Sequence, residues 1–337
     1  NRYLVQSYLC QGVLASVYKA SDTYLKKDVA VKVLKFNTAF NTQEDLIRFK
    51  RHLVQVIALP HPNIVPVFER GEHQGLNFLV MEFAPGLSLL ELLRRNTKFG
   101  IQDSLELVLQ IARGLECAHA QNLIHRDIRP SNIIIDESAH TARILDFGLA
   151  EFIEYTRITG AEEIRSVFSY LSPEQSGIMK RTPDERSDLY SLGIIFYQLL
   201  TGELPFKGDE IGSLLHQHMA KLPLSPRRLN PEIPEVLEEI VLKLISKEPE
   251  SRYQTAKGLI MDLETYKSGQ RSFLIAKQDR LKKLLFRTRL IGREEELSRL
   301  KQLANICASG QGRLCLIKGE AGMGKSRLVD EMRSYVY

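Results

Sequence analysis

Apolar and polar positions follow different patterns on the two sides of Pro85. Before it, short runs rich in β-branched residues predict strands, among them 29–34 and 78–81, with one helical stretch at about 43–58. After it, apolar residues recur at helical spacing, as they do along 104–120, and scattered prolines end the successive helices. The pattern therefore predicts a small part built mainly from a sheet, followed by a larger part built mainly from helices.

Two short polar motifs lie inside the helical part. The first is H-R-D-I-R-P-S-N, which contains Asp127 and Asn132, and the second is D-F-G, which begins at Asp146. Apolar runs at 133–135 and 142–145 separate the motifs and predict a hairpin that carries both loops. An isolated charged triplet is usually a solvated turn. This ordered pair instead places two carboxylates and a carboxamide as phosphoryl transfer from Mg-ATP requires.

Each of these three side chains has a chemical role in that reaction. Asp127 would accept or orient the proton of an acceptor hydroxyl, while Asn132 and Asp146 would bind Mg²⁺ through oxygen atoms. Oxygen ligands on short side chains suit a hard cation that bridges the β- and γ-phosphates of ATP. The sequence therefore predicts ATP and Mg²⁺ as cofactors and Asp127 as a catalytic residue.

An unrelated motif follows near the end of the sequence. The segment G-E-A-G-M-G-K-S begins at Gly319, follows an apolar run at 314–317 that predicts a strand, and precedes a helix-like segment. Glycines such as Gly319 and Gly324 let backbone N–H groups turn toward a phosphate. Lys325 would reach the β- and γ-phosphates, and Ser326 would bind magnesium. This context predicts a phosphate-binding loop.

Residues from about 3 to 266 resemble the catalytic domain of bacterial Ser/Thr protein kinases of the eukaryotic-like type. Besides H-R-D and D-F-G, the resemblance is carried by V-A-V-K ending at Lys32, F-L-V-M-E-F at 78–83, S-P-E ending at Glu174, S-D-L-Y-S-L-G from Ser187 to Gly193, and Arg252. The resemblance implies that Arg252 is the buried partner of Glu174. It also implies that Asp188 braces the backbone of the catalytic loop.

The resemblance further implies roles in nucleotide binding. Lys32 would hold the α- and β-phosphates, and Met81 would be the gatekeeper residue. Backbone groups from Glu82 to Ala84 would bind the adenine edge. The implied catalytic residues are Asp127, Lys32, Asn132 and Arg129, and the implied nucleotide-binding residues of this domain are Gly12, Val17, Ala30, Lys32, Met81, Glu82 and Ala84.

The same resemblance implies the domain organisation. It indicates the α+β class and a two-lobed protein-kinase fold at 1–268, with an N-lobe at about 1–84 and a C-lobe at about 85–268. The segment L-I-G-R-E-E-E-L, upstream of the phosphate-loop motif, resembles the opening of AAA-like signal-transduction ATPases. We therefore expect a basic linker at 269–289 and a truncated P-loop α/β ATPase segment at 290–337.

The order of kinase domain, linker and ATPase start resembles large bacterial signalling proteins in which a Ser/Thr kinase is fused to a STAND-type ATPase. The implied partners are a protein substrate with Ser or Thr and the downstream ATPase. Sensor or histidine-kinase modules often follow in such proteins and are implied as further partners.

Composition and charge limit the alternatives. Across 337 residues the formal net charge is +5 and the basic residues are scattered, so charge alone does not predict a nucleic-acid partner. No apolar stretch approaches the ~20 residues that span a bilayer, and no signal peptide opens the sequence, so we expect no membrane partner. Four cysteines without C-x-x-C spacing favour a reducing setting, and we expect a cytoplasmic location.

Five positions depart from the pattern of the family that the chain resembles. Cys10 and Ala15 stand where the glycine-rich loop usually has glycines, so less of its backbone can take up positive φ. His52 stands where a helix usually supplies the glutamate that pairs with the V-A-V-K lysine. Arg129 replaces the usual lysine, and Val167 replaces a threonine that usually bonds the catalytic aspartate.

Two functions of different class follow from these matches and departures. The first is an active Ser/Thr protein kinase that transfers the ATP γ-phosphate to protein hydroxyls in bacterial signal transduction, since the groups closest to phosphate and metal are present. The second is a pseudokinase, a nucleotide-binding regulatory module that controls the attached STAND-type ATPase, and His52, Val167 and the depleted glycine-rich loop favour it. A third hypothesis, in which the P-loop ATPase is the only working enzyme, depends on the rest of that domain.

Overall fold

The computed structural model describes residues 2–12, 15–34, 56–57, 59–95, 97–147, 161–177, 181–208, 210–279, 293–308, 312–319, 325, 328–329 and 332. Packing divides the chain into two units, 1–280 and 281–337, and each is described by itself. The predicted helix at 43–58 falls almost wholly outside the described residues. No helix within the described ranges is long and apolar enough to cross a membrane.

An antiparallel sheet of five strands forms the first part of the larger unit, in the order β1-β2-β3-β5-β4. Its strands are β1 Tyr3–Gln11, β2 Ala15–Asp22, β3 Lys27–Leu34, β4 Val67–His73 and β5 Leu76–Glu82. Side chains alternate along β3, so that Val29 and Val31 join one apolar cluster while Ala30 joins the main core. Gln74 and Gly75 both have positive φ, which suits the two-residue turn between β4 and β5.

Helices dominate the rest of this unit. They are α1 Leu89–Arg94, α2 Ile101–Ala120, α3 Ala161–Phe168, α4 Glu185–Thr201, α5 Ile211–Ala220, α6 Pro226–Leu229, α7 Glu235–Leu244 and α8 Ala256–Lys267. A small antiparallel sheet contains β6 Leu87–Ser88, β7 Ile133–Asp136 and β8 Thr141–Ile144. Strands β7 and β8 form the predicted hairpin. The predicted α+β fold with a sheet-rich and a helical lobe is confirmed.

Helix α4 is the buried centre of the helical lobe. It begins after Asp184, whose side chain accepts a hydrogen bond from the Arg186 N–H, and it ends at Gly202, which has a φ of 76°. Gly193 allows a close approach to α7, because a Cβ at this position would lie 2.6 Å from the Cβ of Leu244. This packing makes α4 a fixed base for the polar groups near its N-terminus.

A buried ion pair joins the S-P-E motif to the segment before α8. Arg252 Nη1 and Nη2 lie 2.7 and 2.8 Å from the two carboxylate oxygens of Glu174, and both side chains are almost fully buried. Ser187 Oγ also donates to Glu174 at 2.6 Å, and Arg252 donates to the carbonyl groups of Ser246 and Lys247. Burial opposes ionisation, yet the hydrogen bonds and charge of Arg252 hold the pKa of Glu174 below its usual value. The predicted pairing of Arg252 with Glu174 is confirmed.

The described part of the predicted linker lies against the helical lobe. Apolar side chains within 273–276 pack on the main core. Asp279 accepts hydrogen bonds from the backbone N–H groups of Gln254 (2.5 Å) and Thr255 (3.0 Å), at the N-terminus of α8. Residues up to 279 thus share the packing of the first unit, while the linker limits at 269 and 289 stay predictions.

In the second unit, helix α9 covers Glu294–Ala308. The prediction of a strand at 314–317 is wrong, because these residues have no regular secondary structure. Leu314 is fully exposed and Leu316 is 75% exposed. A strand needs a neighbour to pair its backbone N–H and C=O groups, and no described residue pairs with this run.

His218 on α5 makes the stability of the first unit depend on pH. Burial, with a smaller effect of the Lys247 charge, lowers the pKa of His218 to about 3. An unfolded histidine titrates near 6.5, so between these pH values the unfolded chain binds a proton that the folded chain does not. We therefore expect the free energy of unfolding to fall as the pH drops from about 6.5 toward 3.

His218→Gln is expected to flatten that slope, whereas the same change at the exposed His73 is expected to leave it intact. Urea denaturation at about pH 7.5 and about pH 5 measures the slope for each variant. A slope that His218→Gln does not change would contradict the assignment.

Candidate active site

A buried carboxylate of α4 bonds the backbone of the catalytic loop, residues 123–132. Asp188 accepts hydrogen bonds from the backbone N–H groups of His125 and Arg126 at 2.8 Å each, and it lies 2.8 Å from His119 Nε2. Burial raises the pKa of Asp188, but His119 and the loop N–H groups outweigh this and hold it below its usual value. Arg126 has a φ of 66°, a strained conformation that these bonds stabilise. The predicted brace is confirmed.

Asp127 is held by two side chains of the same loop. Asn132 Nδ2 donates to the Asp127 carboxylate and to its backbone carbonyl, at 2.8 Å each. Arg129 Nε lies 3.1 Å from both carboxylate oxygens, and Nη1 of the same guanidinium donates to Ser166 Oγ at 3.0 Å. The side chains of Asp127 and Arg129 are only 13% and 17% exposed.

These contacts bring together three of the four predicted catalytic residues, and they add Ser166, whose contact with Arg129 was not predicted. Ser166 lies on α3 within the activation segment, the stretch from the D-F-G motif to the S-P-E motif at residues 146–174. The sequence signal for this contact was that Ser166 is a hydroxyl residue directly before Val167, where the usual threonine is missing.

Lys32, the fourth predicted catalytic residue, forms an ion pair with Asp146. Lys32 Nζ lies 2.6 Å from Asp146 Oδ2, and the two side chains are 11% and 22% exposed. Asp146 has a φ of 64°, and the next residue, Phe147, is buried with its ring 4.6 Å from the ring of His125. Packing of Phe147 thus stabilises a backbone conformation that aspartate adopts rarely. His52, the predicted counterpart of the helix glutamate, lies outside the described residues.

The side chains of Asn132, Asp146 and Lys32 fit Mg-ATP. Because the Asn132 amide nitrogen is bonded to Asp127, its oxygen is the atom that can bind a cation. Within the described ranges, no cluster of three or more His, Cys, Asp or Glu side chains could hold a metal ion. One carboxylate and one carboxamide suit Mg²⁺, which keeps waters and substrate phosphates among its ligands, better than they suit zinc.

The apolar residues among the predicted nucleotide-binding positions lie on neighbouring strands. Ala30 on β3 is paired with Met81 on β5, and both side chains are buried in the main core. Val17 on β2 and Ala84, just after β5, are partly buried against the same core. The backbone N–H of Glu82 donates to the Pro66 carbonyl at 3.0 Å, so this N–H group is already paired.

Gly12 lies in the turn between β1 and β2, where its N–H donates to the Ala15 carbonyl at 2.8 Å. Among the described residues, a Cβ at Gly12 would meet nothing closer than that carbonyl oxygen, at 3.7 Å. Packing against the described residues therefore does not explain why residue 12 is glycine, and its role in nucleotide binding stays a prediction.

Two residues of the predicted phosphate-binding loop are described in the second unit. Lys325 Nζ donates to the Gly319 carbonyl at 2.8 Å, so the lysine reaches back to the start of the motif. Gly324 and Ser326 lie outside the described residues. The roles of all four residues stay predictions.

A cavity of about 450 Å³ opens beside the catalytic loop at Pro130 and Ser131. Among the described residues that line it, the charged ones are Arg94, Arg165 and Lys207, and none is a carboxylate. Its apolar walls include Leu90, Tyr170, Leu204 and Phe206. No sequence motif marks this cavity, because its basic residues come from three distant segments and look like ordinary surface charges.

Comparison with known proteins gives two family matches. The chain matches the protein kinase domain family over residues 3–262 and the AAA ATPase domain family over residues 289–336. It is 36% identical over 264 residues to the serine/threonine-protein kinase PrkC of Bacillus subtilis, covering 78% of this chain and 40% of PrkC. It is also 36% identical over 275 residues to the serine/threonine-protein kinase PknB of Mycobacterium leprae, covering 80% of this chain and 44% of PknB.

Solved structures show the same fold. Rad53 1–466 in complex with AMP-PNP matches with a TM-score of 0.64 at 24% identity, over 77% of this chain and 64% of that chain. The PknI kinase domain of Mycobacterium tuberculosis matches with a TM-score of 0.61 at 22% identity, over 78% of this chain and 95% of that chain. The chain spans about two fifths of the length of the two curated relatives, PrkC and PknB.

Proposed function

Because the chain belongs to the protein kinase domain family, we propose that it is a Ser/Thr protein kinase that transfers the γ-phosphate of ATP to protein hydroxyl groups in bacterial signal transduction. The observation that carries this proposal is the Asp127 carboxylate, bonded to both Asn132 and Arg129. The names of PrkC and PknB as serine/threonine-protein kinases support the class of acceptor.

Asp127 is the group that we assign to the acceptor hydroxyl. Phosphoryl transfer depends mainly on positioning and on stabilisation of charge. Asn132 and Arg129 hold the Asp127 carboxylate so that it can orient the hydroxyl and accept its proton. The new O–P bond forms as the bond from the γ-phosphorus to the β,γ-bridging oxygen breaks, and ADP leaves. Mg²⁺, held by Asn132 and Asp146, would neutralise charge on the β- and γ-phosphates, and Lys32 would hold the α- and β-phosphates.

The Lys32–Asp146 pair keeps two functional charges compensated before the substrate binds. Both side chains are mostly buried, and an unpaired charge in such a place is costly. When Mg-ATP binds, Asp146 would exchange the Lys32 ammonium for magnesium, and Lys32 would exchange the carboxylate for phosphate. The pair thus gives Lys32 a defined position in a chain that has histidine where the family has the helix glutamate.

The proposed function is tested by transfer of labelled phosphate from ATP to Ser and Thr of a generic protein substrate. Lys325→Ala removes the lysine of the second unit's phosphate-binding loop, and we expect this variant to retain transfer. Mg-ATP is also expected to stabilise the chain, by about 2.7 kcal/mol at a concentration 100 times Kd. Stabilisation of the Lys325→Ala variant by Mg-ATP, without transfer, would support the alternative, a nucleotide-binding regulatory module for the attached ATPase.

We further propose that the cavity beside the catalytic loop binds the acceptor peptide and favours acidic side chains near the Ser or Thr. Arg94, Arg165 and Lys207 give the described lining of the cavity a positive charge. Such a local excess of positive charge attracts anionic side chains. Lys207 also pairs with Glu203, but both side chains are exposed, and such pairs contribute little.

Arg94→Gln or Lys207→Gln is expected to raise the KM for an acidic peptide about two- to fivefold, which corresponds to the loss of one exposed ion pair. The kcat and the KM for ATP are expected to stay unchanged. Arg113→Gln is a matched control, because Arg113 is an exposed arginine of α2 that pairs with Glu264. Steady-state kinetics with acidic and neutral peptides measure the effect, and a KM that is independent of peptide charge would contradict the proposal.

A further inference from the structure

Val167 cannot make the contact that the family's threonine makes with the catalytic aspartate. Its side chain is 5% exposed and packs with Phe168, Leu171 and Leu214 in an apolar cluster apart from the main core. A hydroxyl placed there without a partner would lose its hydrogen bonds to water. The activation segment therefore does not reach Asp127 through residue 167.

We infer that Ser166 makes this contact instead, through the guanidinium of Arg129, and that both are positioning residues for Asp127. Arg129 Nε lies 3.1 Å from the Asp127 carboxylate oxygens, and Nη1 donates to Ser166 Oγ at 3.0 Å. The inference rests on the proposed kinase function, because positioning of Asp127 matters only if Asp127 acts on an acceptor hydroxyl.

The chemistry of Arg129 explains why lysine would not serve in this chain. A guanidinium is planar and presents its N–H donors in fixed directions, so one side chain can bond a carboxylate and a hydroxyl at once. An ammonium is a single nitrogen on a flexible stem and holds no such fixed geometry. Arg129, in place of the lysine, thus reaches Ser166, which supplies the hydroxyl that Val167 lacks.

The stretch that contains Ser166 is itself fixed to α4. The Tyr170 hydroxyl donates to Gln198 at 2.7 Å, and Ser191 Oγ donates to the Tyr170 carbonyl at 2.7 Å. Both Gln198 and Ser191 belong to α4, the buried helix. Through Ser166, the side chain of Asp127 is therefore connected to the same helix whose Asp188 holds the loop backbone.

The test compares kcat for phosphate transfer at saturating ATP and peptide. Ser166→Ala is expected to lower kcat roughly 10- to 100-fold without changing the KM for ATP, since loss of positioning at the reacting group has this size. Ser166→Thr keeps the hydroxyl and is expected to retain most of kcat. Arg129→Lys is expected to lose as much as Ser166→Ala, and the double variant no more than either alone.

Ser268→Ala, which removes an exposed hydroxyl at the end of α8, is the matched control and is expected to have the kcat of the wild type. A wild type that transfers no phosphate would end the proposed function and the positioning role with it. A wild type that transfers phosphate while Ser166→Ala keeps its kcat would overturn the inference alone. So would a double variant whose loss equals the product of the two single losses, because the two residues would then act independently.

Discussion

Asp127→Asn is expected to lower the rate of phosphate transfer by roughly a thousandfold while leaving the affinity for Mg-ATP nearly unchanged. Removal of a positioned general base typically costs a factor of 10² to 10⁴. Asparagine keeps the size of the side chain and can still accept hydrogen bonds from Asn132 and Arg129, but it cannot take a proton. Steady-state and single-turnover transfer of labelled phosphate measure the loss, and thermal stabilisation by Mg-ATP measures the binding.

The matched control is Asp103→Asn, at an exposed aspartate in the first turn of α2, which is expected to transfer phosphate at the rate of the wild type. The kinase hypothesis fails if Asp127→Asn leaves incorporation unchanged while Lys325→Ala abolishes it. In that case the second unit would be the source of the activity.

Arg252→Met is expected to lower the free energy of unfolding of the first unit by roughly 3–5 kcal/mol. The substitution removes the partner of a buried carboxylate, and Glu174, which is 4% exposed, would be left with Ser187 as a donor. An unpaired charge in such a place is much more costly than the net stabilisation from the intact pair, because water cannot solvate it. Urea denaturation followed at the transition of this unit measures the change.

Two further variants separate charge burial from loss of packing. Adding Glu174→Leu to Arg252→Met removes the orphaned charge and is expected to restore part of the lost stability. Arg181→Met breaks exposed ion pairs with Glu248 and Glu250, and a cost below about 1 kcal/mol is expected. If Arg252→Met cost no more than Arg181→Met, the buried pair would have no special role in stability.

Elements of secondary structure that are set by residues close together in the sequence were predictable. The β-branched run at 29–34 and the helical spacing at 104–120 are local patterns, so β3 and α2 lie close to their predicted positions. The pair of Arg252 with Glu174 joins residues 78 positions apart, and only the resemblance to a family made it predictable. Local chemistry at either residue does not indicate the other.

Contacts between distant segments were not predictable from the chain alone. Lys32 with Asp146, and Arg129 with Ser166, depend on side-chain directions that follow only once the segments have packed. At 314–317, by contrast, the sequence predicted a strand that the structure does not contain. The apolar residues of this run indicate a strand, but periodicity cannot show whether a partner strand is available.

Asp279 links the completion of the helical lobe to the timing of protein synthesis. Its carboxylate bonds the N-terminus of α8 from 24 residues further along the chain. At a translation rate of about 5–20 residues per second, the ribosome adds Asp279 roughly 1 to 5 seconds after Thr255. Helix α8 is synthesised within that interval, so the lobe can complete the hydrogen bonding at the N-terminus of α8 only after the chain has been extended to residue 279.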